Sequence, residues 1–460
     1  MSVTADPPAN PRRGGRWIQD WRPDDPGFWA STGKKIANRN LIFSVITEHI
    51  GFSIWSLWSV MVLFMGTKYG LSVGDKFLLT SLPTLVGSVL RIPYNLAVAA
   101  FGGRNWTIIS ALLLLIPAAL CAVVMHPGTS LGTFLWVSAV AGVGGGNFAS
   151  SMTNINTFYP ENRKGWALGL NAGGGNLGVA VVQLVALLVL ATAGAMQPRV
   201  VLWIYLPIIV IGAVLAVLFM DNLATAKNDT KAMREVIKDG HAWIISLLYV
   251  GTFGSFIGYS FAFGQVLQNQ FHRTPLQAAY LTFLGPLLGS LSRPIGGWLS
   301  DRIGGAWVTF INFVLMAGST GVVIAASNAK SLSLFAVGFM LLFVLSGVGN
   351  GSVYKMIPSI FKNKALSAID GGAPAEPALL RARRLSGALI GIAGALGALG
   401  GVLINLAFRE SFLSVKTGVP AFIGFLVFYA ICFVVTWLVY LRSAAAKSAT
   451  ATESKSELRV

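Results

Sequence analysis

Charge is what this sequence most conspicuously lacks. Asp, Glu, Lys and Arg together make up 11% of its 460 residues, where a soluble domain carries about 25%. Histidine and cysteine are almost absent. The four histidines, His49, His126, His241 and His272, are scattered, so neither a metal site nor a cofactor is expected. Only Glu48 and His49 set an acid beside a histidine within an apolar run, which leaves little for an enzyme that needs a nucleophile with its base or a metal cluster. No phosphate-binding glycine loop is present, which argues against ATP-driven chemistry. Cys121 and Cys432 both fall in apolar runs and read as small buried hydrophobes rather than a disulfide. The polar N-terminus lacks the order of a signal peptide. The tails are too short for a sensor's appended soluble domain.

What fills the chain is apolar residues, 54% of the total, gathered into continuous runs of the length that crosses a bilayer as a helix. A membrane barrel would instead show short segments of alternating polarity. We place spans at 41–66, 76–101, 105–125, 131–158, 165–195, 199–221, 241–268, 276–300, 305–327, 331–361, 384–409 and 419–442. The expected fold is an all-α polytopic membrane protein of twelve transmembrane helices. It divides into an N-terminal tail (1–40), a first six-helix bundle (41–221), a linker (222–240), a second bundle (241–442) and a C-terminal tail (443–460). A further polar linker is expected at 362–383.

The formal net charge of +17 invites a nucleic-acid partner, but its distribution points to topology. Of the 34 Lys and Arg residues, 24 fall on the face that holds both termini, seven on the opposite face and three within spans. The positive-inside rule then makes both termini cytoplasmic, in a bacterial inner membrane, with the lipid bilayer and no nucleic acid as the surroundings. A monomer is expected.

The two halves repeat. Gly87–Arg91 in the second span parallels Gly289–Arg293 in the eighth, and each Arg is followed at the same distance by a glycine pair, Gly102-Gly103 and Gly304-Gly305. The fourth and tenth spans carry matching glycine stretches, 142–147 and 347–352, and so do the fifth and eleventh, 169–178 and 391–400. Six helices followed by a parallel repeat of six is the layout of major facilitator transporters, with the binding site at the midplane between the halves.

Ionisable groups deep in spans are few: Glu48, Arg91, Arg293 and Lys355. Each is costly there. Two cations at equivalent positions would repel unless an anion sat between them, and an Arg fork matches a planar oxyanion. Arg91 and Arg293 therefore form a candidate anion site; the alternative is that each tethers backbone carbonyls. The glycines Gly169, Gly173, Gly175, Gly178, Gly391, Gly397 and Gly400 let helices pack closely in lipid, and allow sliding during alternating access. Asn147, Asn171 and Asn176 need partners, either the substrate or neighbouring helices. Trp55, Trp58 and Trp136 read as packing residues. Gly297–Gly304, with Asp301 and Arg302, resembles the G-x-x-x-D-R-x-G loop of the major facilitator superfamily, which can lock helix ends together; the first-half loop has Gly102, Gly103 and Arg104 but no Asp.

The run 145–158, the glycine stretches of the fifth and eleventh spans, and the segments 20–29 and 247–258 resemble the nitrate/nitrite porter family of that superfamily. The resemblance covers essentially the whole chain. It implies transport of nitrate and nitrite, with Arg91 and Arg293 clamping the anion and Asn176, Tyr249, Phe148 and Phe253 completing the pocket. The family's nitrate/nitrite exchangers have a neutral first helix, whereas Thr47–Phe52 here carries Glu48 and His49. That looks like the nitrate/proton symport branch, with the proton as coupling ion and Lys355 available to pair with Glu48. Nitrate/nitrite antiport, and facilitated movement of another small oxyanion or organic acid, are the competing readings.

Overall fold

The computed structural model describes residues 16–226 and 228–442. The tails 1–15 and 443–460, and Lys227 in the central linker, lie outside the described residues. The chain is almost wholly helical: α1 (Pro26–Phe64), α2 (Val73–Phe101), α3 (Gly103–Val124), α4 (Leu131–Val140 with Val143–Phe158), α5 (Glu161–Thr192) and α6 (Arg199–Phe219) precede the linker. After it come α7 (Gly240–Gln270), α8 (Pro275–Thr282 with Leu284–Ile303), α9 (Gly305–Asn328), α10 (Leu332–Asp370), α11 (Ala375–Val415) and α12 (Val419–Leu441). Ten of these are long and apolar enough to cross a membrane. The other two, α4 and α8, are interrupted near Ala141 and Phe283 and carry polar residues instead.

Backbone groups inside lipid must be satisfied within the protein, which explains the helices; close approach of those helices is what positions the site. At the α2/α4 crossing, a methyl added at Gly145 would lie 2.8 Å from the Gly87 Cα. Only glycine permits that approach, and it brings Arg91, one turn beyond Gly87, against the Gly145 carbonyl. The second half repeats the device at α8/α10, where a methyl on Gly347 would lie 2.0 Å from the Gly289 carbonyl oxygen.

One expectation fails. The segment 362–383 is not an extended linker: α10 runs on to Asp370 and α11 begins at Ala375. The intervening residues include Lys, Ala, Leu and Arg, good helix formers in water, and the first break comes at Gly371-Gly372, with Gly372 in the left-handed region at φ +95°. At 39 and 41 residues, these helices are each about 60 Å long, roughly twice the hydrocarbon thickness.

Their projecting ends hold the central linker, which forms a short helix, Thr230–Val236. Arg384 makes two hydrogen bonds to Asp229, Arg381 pairs with Glu235 and Lys364 with Asp239. The first half holds the other end of the linker differently: a parallel bridge joins β1 (Trp17–Ile18) to β2 (Asn222–Leu223).

Hydrogen bonding from Arg384 holds the Asp229 carboxyl below its usual range. A carboxyl with a depressed pKa contributes its attachment above its ordinary value and loses it as pH falls through the depressed one. At neutral pH the tether is therefore complete. Asp229→Asn should loosen the short helix that carries the exposed Lys231 and Arg234 and speed tryptic cleavage of the linker in detergent, an effect that high salt reproduces in the unmodified protein.

Candidate functional site

Arg91 is 1% exposed and Arg293 4%, and the two lie within electrostatic range of each other. Among the described residues neither forms a salt bridge. Arg91 is packed among rings, its guanidinium carbon 4.5 Å from the centre of Phe148, 5.0 Å from Phe253 and 5.3 Å from Trp55. Its Nε donates to the Gly145 carbonyl at 3.2 Å and its Nη1 to the Gly394 carbonyl across the two halves at 2.5 Å. Arg293 lies 5.2 Å from the Tyr354 ring and donates through Nη2 to the Tyr249 hydroxyl at 3.4 Å. Tyr249 stacks on Phe253 at 5.1 Å, and Phe253 on Phe148 at 5.9 Å. One aromatic column thus runs between the two arginines.

Polar atoms are left over. Arg91 Nη2, Arg293 Nη1 and both amide atoms of Asn176 are buried without a hydrogen-bond partner. Unpaired buried polar groups cost about 1–3 kcal/mol each. Cationic donors backed by aromatic faces, with no carboxylate paired to either cation, form an environment suited to a flat anion. Gly173, one turn before Asn176 on α5, has no atom within 4 Å of where its Cβ would stand.

Glu48 is 1% exposed and accepts a 2.6 Å hydrogen bond from Asn171 Nδ2 on α5. Both arginines lie within its electrostatic range. Its neighbour His49 turns away, with Nδ1 3.2 Å from the Gly174 carbonyl oxygen. Lys355 does not pair with Glu48. Its Nζ lies 2.7 Å from Asp301 Oδ1, on a part-exposed rim, because its helical position carries it to the end of α8. Asp301 therefore ties α8 to α10 within the second half, while Arg302 sits over the Trp298 ring at 4.0 Å.

The glycines separate into two groups. Gly175 and Gly178 seat α5 against α1: added methyls would lie 2.3 Å from Glu48 Oε1 and 2.0 Å from the His49 carbonyl oxygen. Gly391 abuts Asn95, Gly397 abuts Tyr249, and Gly400 abuts Gly254. At Gly169 and Gly173 an added methyl would meet nothing within 4 Å, so no close helix approach there depends on the missing side chain. Their face of α5 is turned one residue step away from α1.

A cavity of about 390 Å³ leads from Arg91 past Asn95, Phe148, Thr153 and Gly391 to Lys164, Asp229 and Arg384 at the linker face. The opposite face is shut. Thr80 donates to Asn405 Oδ1 at 2.9 Å, Gln183 to the Ser260 carbonyl at 2.8 Å, and Phe77 stacks on Phe412 at 5.6 Å.

Sequence reasoning passed over Trp55 and Tyr354 as site residues. Trp55 stands seven residues, two helical turns, after Glu48, which places both on one face of α1; that spacing was the available signal. Tyr354 stands next to Lys355 but a third of a turn away.

The Major Facilitator Superfamily model matches residues 43–404. The chain is 40% identical to the nitrate/nitrite transporter NarU of Salmonella typhimurium, over 92% of this chain and 96% of that protein. Its identity to NarU of Escherichia coli is 37%, with the same coverage. It is 32% identical to the probable nitrate/nitrite antiporter NarK2 of Thermus thermophilus, over 94% of this chain and 98% of that protein. A bacterial homologue of the human lysosomal transporter Spinster, solved in an inward-facing, unoccupied conformation, shares the fold with a TM-score of 0.63 at 15% identity. That match covers 88% of this chain and 97% of that one.

The two glycine groups should respond oppositely to a methyl. Gly175→Ala should cost about 1–3 kcal/mol by overpacking against Glu48. Gly173→Ala should be neutral or stabilising by about 0.5–1 kcal/mol, since a helix prefers Ala. Thermal unfolding of the two variants in detergent, followed by size-exclusion fluorescence, separates them.

Proposed function

The chain belongs to the major facilitator superfamily and, within it, to the nitrate/nitrite porters, and on that premise we propose that it carries nitrate and nitrite across a bacterial inner membrane by alternating access. It is a transporter, not an enzyme. Both termini face the cytoplasm in this reading, and the vestibule of about 390 Å³ is the inward exit. The single observation that carries the anion site is the pair of buried arginines, neither of them ion-paired among the described residues and each with an unpartnered N–H. A planar anion accepts from Arg91 Nη2 and Arg293 Nη1, with Asn176 at its edge and the Phe148–Phe253–Tyr249 column covering its faces. Dehydration selects against sulfate and phosphate, whose charge is far more costly to strip of water.

Coupling to protons follows from the chemistry of nitrate. It is the anion of a strong acid, so a symported proton must ride on the protein. The arginines do not release protons near neutral pH, and Lys355 is committed to Asp301. Glu48 remains, buried and within range of both arginines. An arriving anion cancels part of the guanidinium field at Glu48, so nitrate and proton favour each other's binding, which is the sign that symport requires. Nitrate/nitrite exchange without protons is the second reading, favoured by the antiporter name of the Thermus relative.

Arg91→Lys and Arg293→Lys keep the charge but lose the planar fork. Each should reduce nitrate transport in proteoliposomes by roughly a hundred-fold, the loss of one or two charge-assisted hydrogen bonds, with insertion intact; near-normal transport in both would remove the clamp. Glu48→Gln should leave nitrate exchange running while abolishing accumulation driven by an alkaline interior. If the variant still concentrates nitrate, Glu48 is not the carrier and His49 becomes the candidate.

A further inference from the structure

Glu48 is missing from the walls of the vestibule. The side of α4 that lines that cavity carries Phe148, Ala149, Met152, Thr153 and Asn156. Ser151, on the other side of the same helix, is turned towards α1 and α5. It accepts from Asn171 Nδ2 at 2.6 Å, the same nitrogen that donates to Glu48 Oε2. Its hydroxyl also lies 2.8 Å from the Ser44 hydroxyl on α1. These groups are sealed from solvent: Glu48 and Ser44 are each 1% exposed, Asn171 0% and Ser151 7%.

Below Ser44 the polar seam continues. Glu48, Ser44 and Asn40 recur at four-residue steps, about 6 Å apart along one face of α1. Asn40 is fully buried and exchanges two hydrogen bonds with Asp221 at the end of α6, 2.9 Å from side chain to side chain and 2.8 Å from the Asp221 N–H. Asp221 is itself held by Arg39, 38% exposed at the linker face. Serines and asparagines commonly hydrogen-bond across helices in lipid as structural glue; what sets this seam apart is that it starts at a buried acid and runs turn by turn to a carboxylate at the linker face. It carries hydroxyls, amides and a carboxylate from the midplane to the surface, and leaves Glu48 Oε1 and Asn171 Oδ1 without partners.

We infer that the coupling proton moves between Glu48 and the linker face along this seam, through Ser151 and Ser44 to Asp221, on the opposite side of α4 from the path of the anion. The inference rests on the reading of Glu48 as proton carrier. The Asn171 Nδ2 that meets both groups carries donors only, so it positions Glu48 and Ser151 rather than passing protons. A hydroxyl both donates and accepts. The neutral Glu48 carboxyl gives its proton to Ser151 Oγ as the Ser151 hydroxyl proton passes to Ser44 Oγ. The Ser44 proton passes to a water spanning the last turn, and from there to the Asp221 carboxylate and bulk solvent. Glu48 is left ionised, one proton has entered the solvent, and both serines keep one hydrogen each. The charged groups acting on Glu48 are Arg91 and Arg293; α4 and α5 face it only with neutral groups, Ser151 and Asn171, and the adjacent His49 is turned to Gly174.

A relay residue changes the rate of proton movement but not its equilibrium, and the test exploits that difference. Ser151→Ala and the double variant with Ser44→Ala would be reconstituted into proteoliposomes containing a pH-sensitive dye. Labelled-nitrate exchange at equal pH reports folding and the anion site. The expected result is normal exchange, nitrate-coupled proton entry slowed roughly ten-fold or more, an unchanged final accumulation of nitrate, and recovery in Ser151→Thr, which restores the hydroxyl. Unimpaired proton entry in the double variant, beside a Glu48→Gln control that has lost accumulation, would overturn the seam and leave Glu48 as carrier. Loss of exchange in both the Ala and Thr variants would make Ser151 a packing residue and overturn it as well. Accumulation that survives Glu48→Gln would remove the parent reading and the seam together.

Discussion

Two positive charges held in the membrane without acidic partners are the constraint on which the rest of this molecule depends. Each guanidinium must be compensated by something other than a carboxylate. Arg91 is compensated by ring faces and two carbonyls, Arg293 by a phenol and the Tyr354 ring. These partners are dipoles and quadrupoles, weaker than a full counter-charge. A residual positive field is left at the site, and it reaches Glu48.

That field has to be held in place by backbone geometry, because side chains this long would otherwise find other partners. The helix crossings do this. Gly145 supplies both the close approach to α2 and the carbonyl that takes the Arg91 Nε, while Gly394 supplies a carbonyl from the second half. The bond to Gly394 spans the two halves of the protein, so the position of Arg91 registers how they are docked. Any shift of one half against the other would therefore alter the environment of Arg91 itself.

The fold was legible in the sequence because lipid leaves so few choices. Apolar runs of membrane length must be helices, and the Gly87–Arg91 and Gly289–Arg293 correspondence exposes the repeat. The arginine pair was legible for the same reason, since uncompensated charge in a span stands out. The aromatic pocket was not: Phe148, Phe253 and Tyr249 are three among many rings, and only the family resemblance singled them out. The partner of Lys355 could not be read either, because Asp301 lies 54 positions away and only the helix phase shows which acid it meets. The glycine run of α5 looks uniform as letters, yet Gly175 and Gly178 are wedged against α1 while Gly169 and Gly173 have room for a methyl. The end of α10 and the start of α11 were mistaken for loops because charged helical extensions into water have the composition of a linker.

The closed face has a further consequence. Thr80, Asn405, Gln183 and Ser260, with the Phe77 and Phe412 rings, hold it shut through neutral hydrogen bonds and stacked aromatics. The linker face is laced with carboxylate–cation pairs. The two faces therefore answer to different environments. Acid or brine on the closed side has no ion pair to act upon in these contacts, so that barrier works as a mechanical latch that neither protonation nor charge screening loosens. The medium at the linker face is the one whose salt and pH act on the ion pairs that tie the linker to α10 and α11.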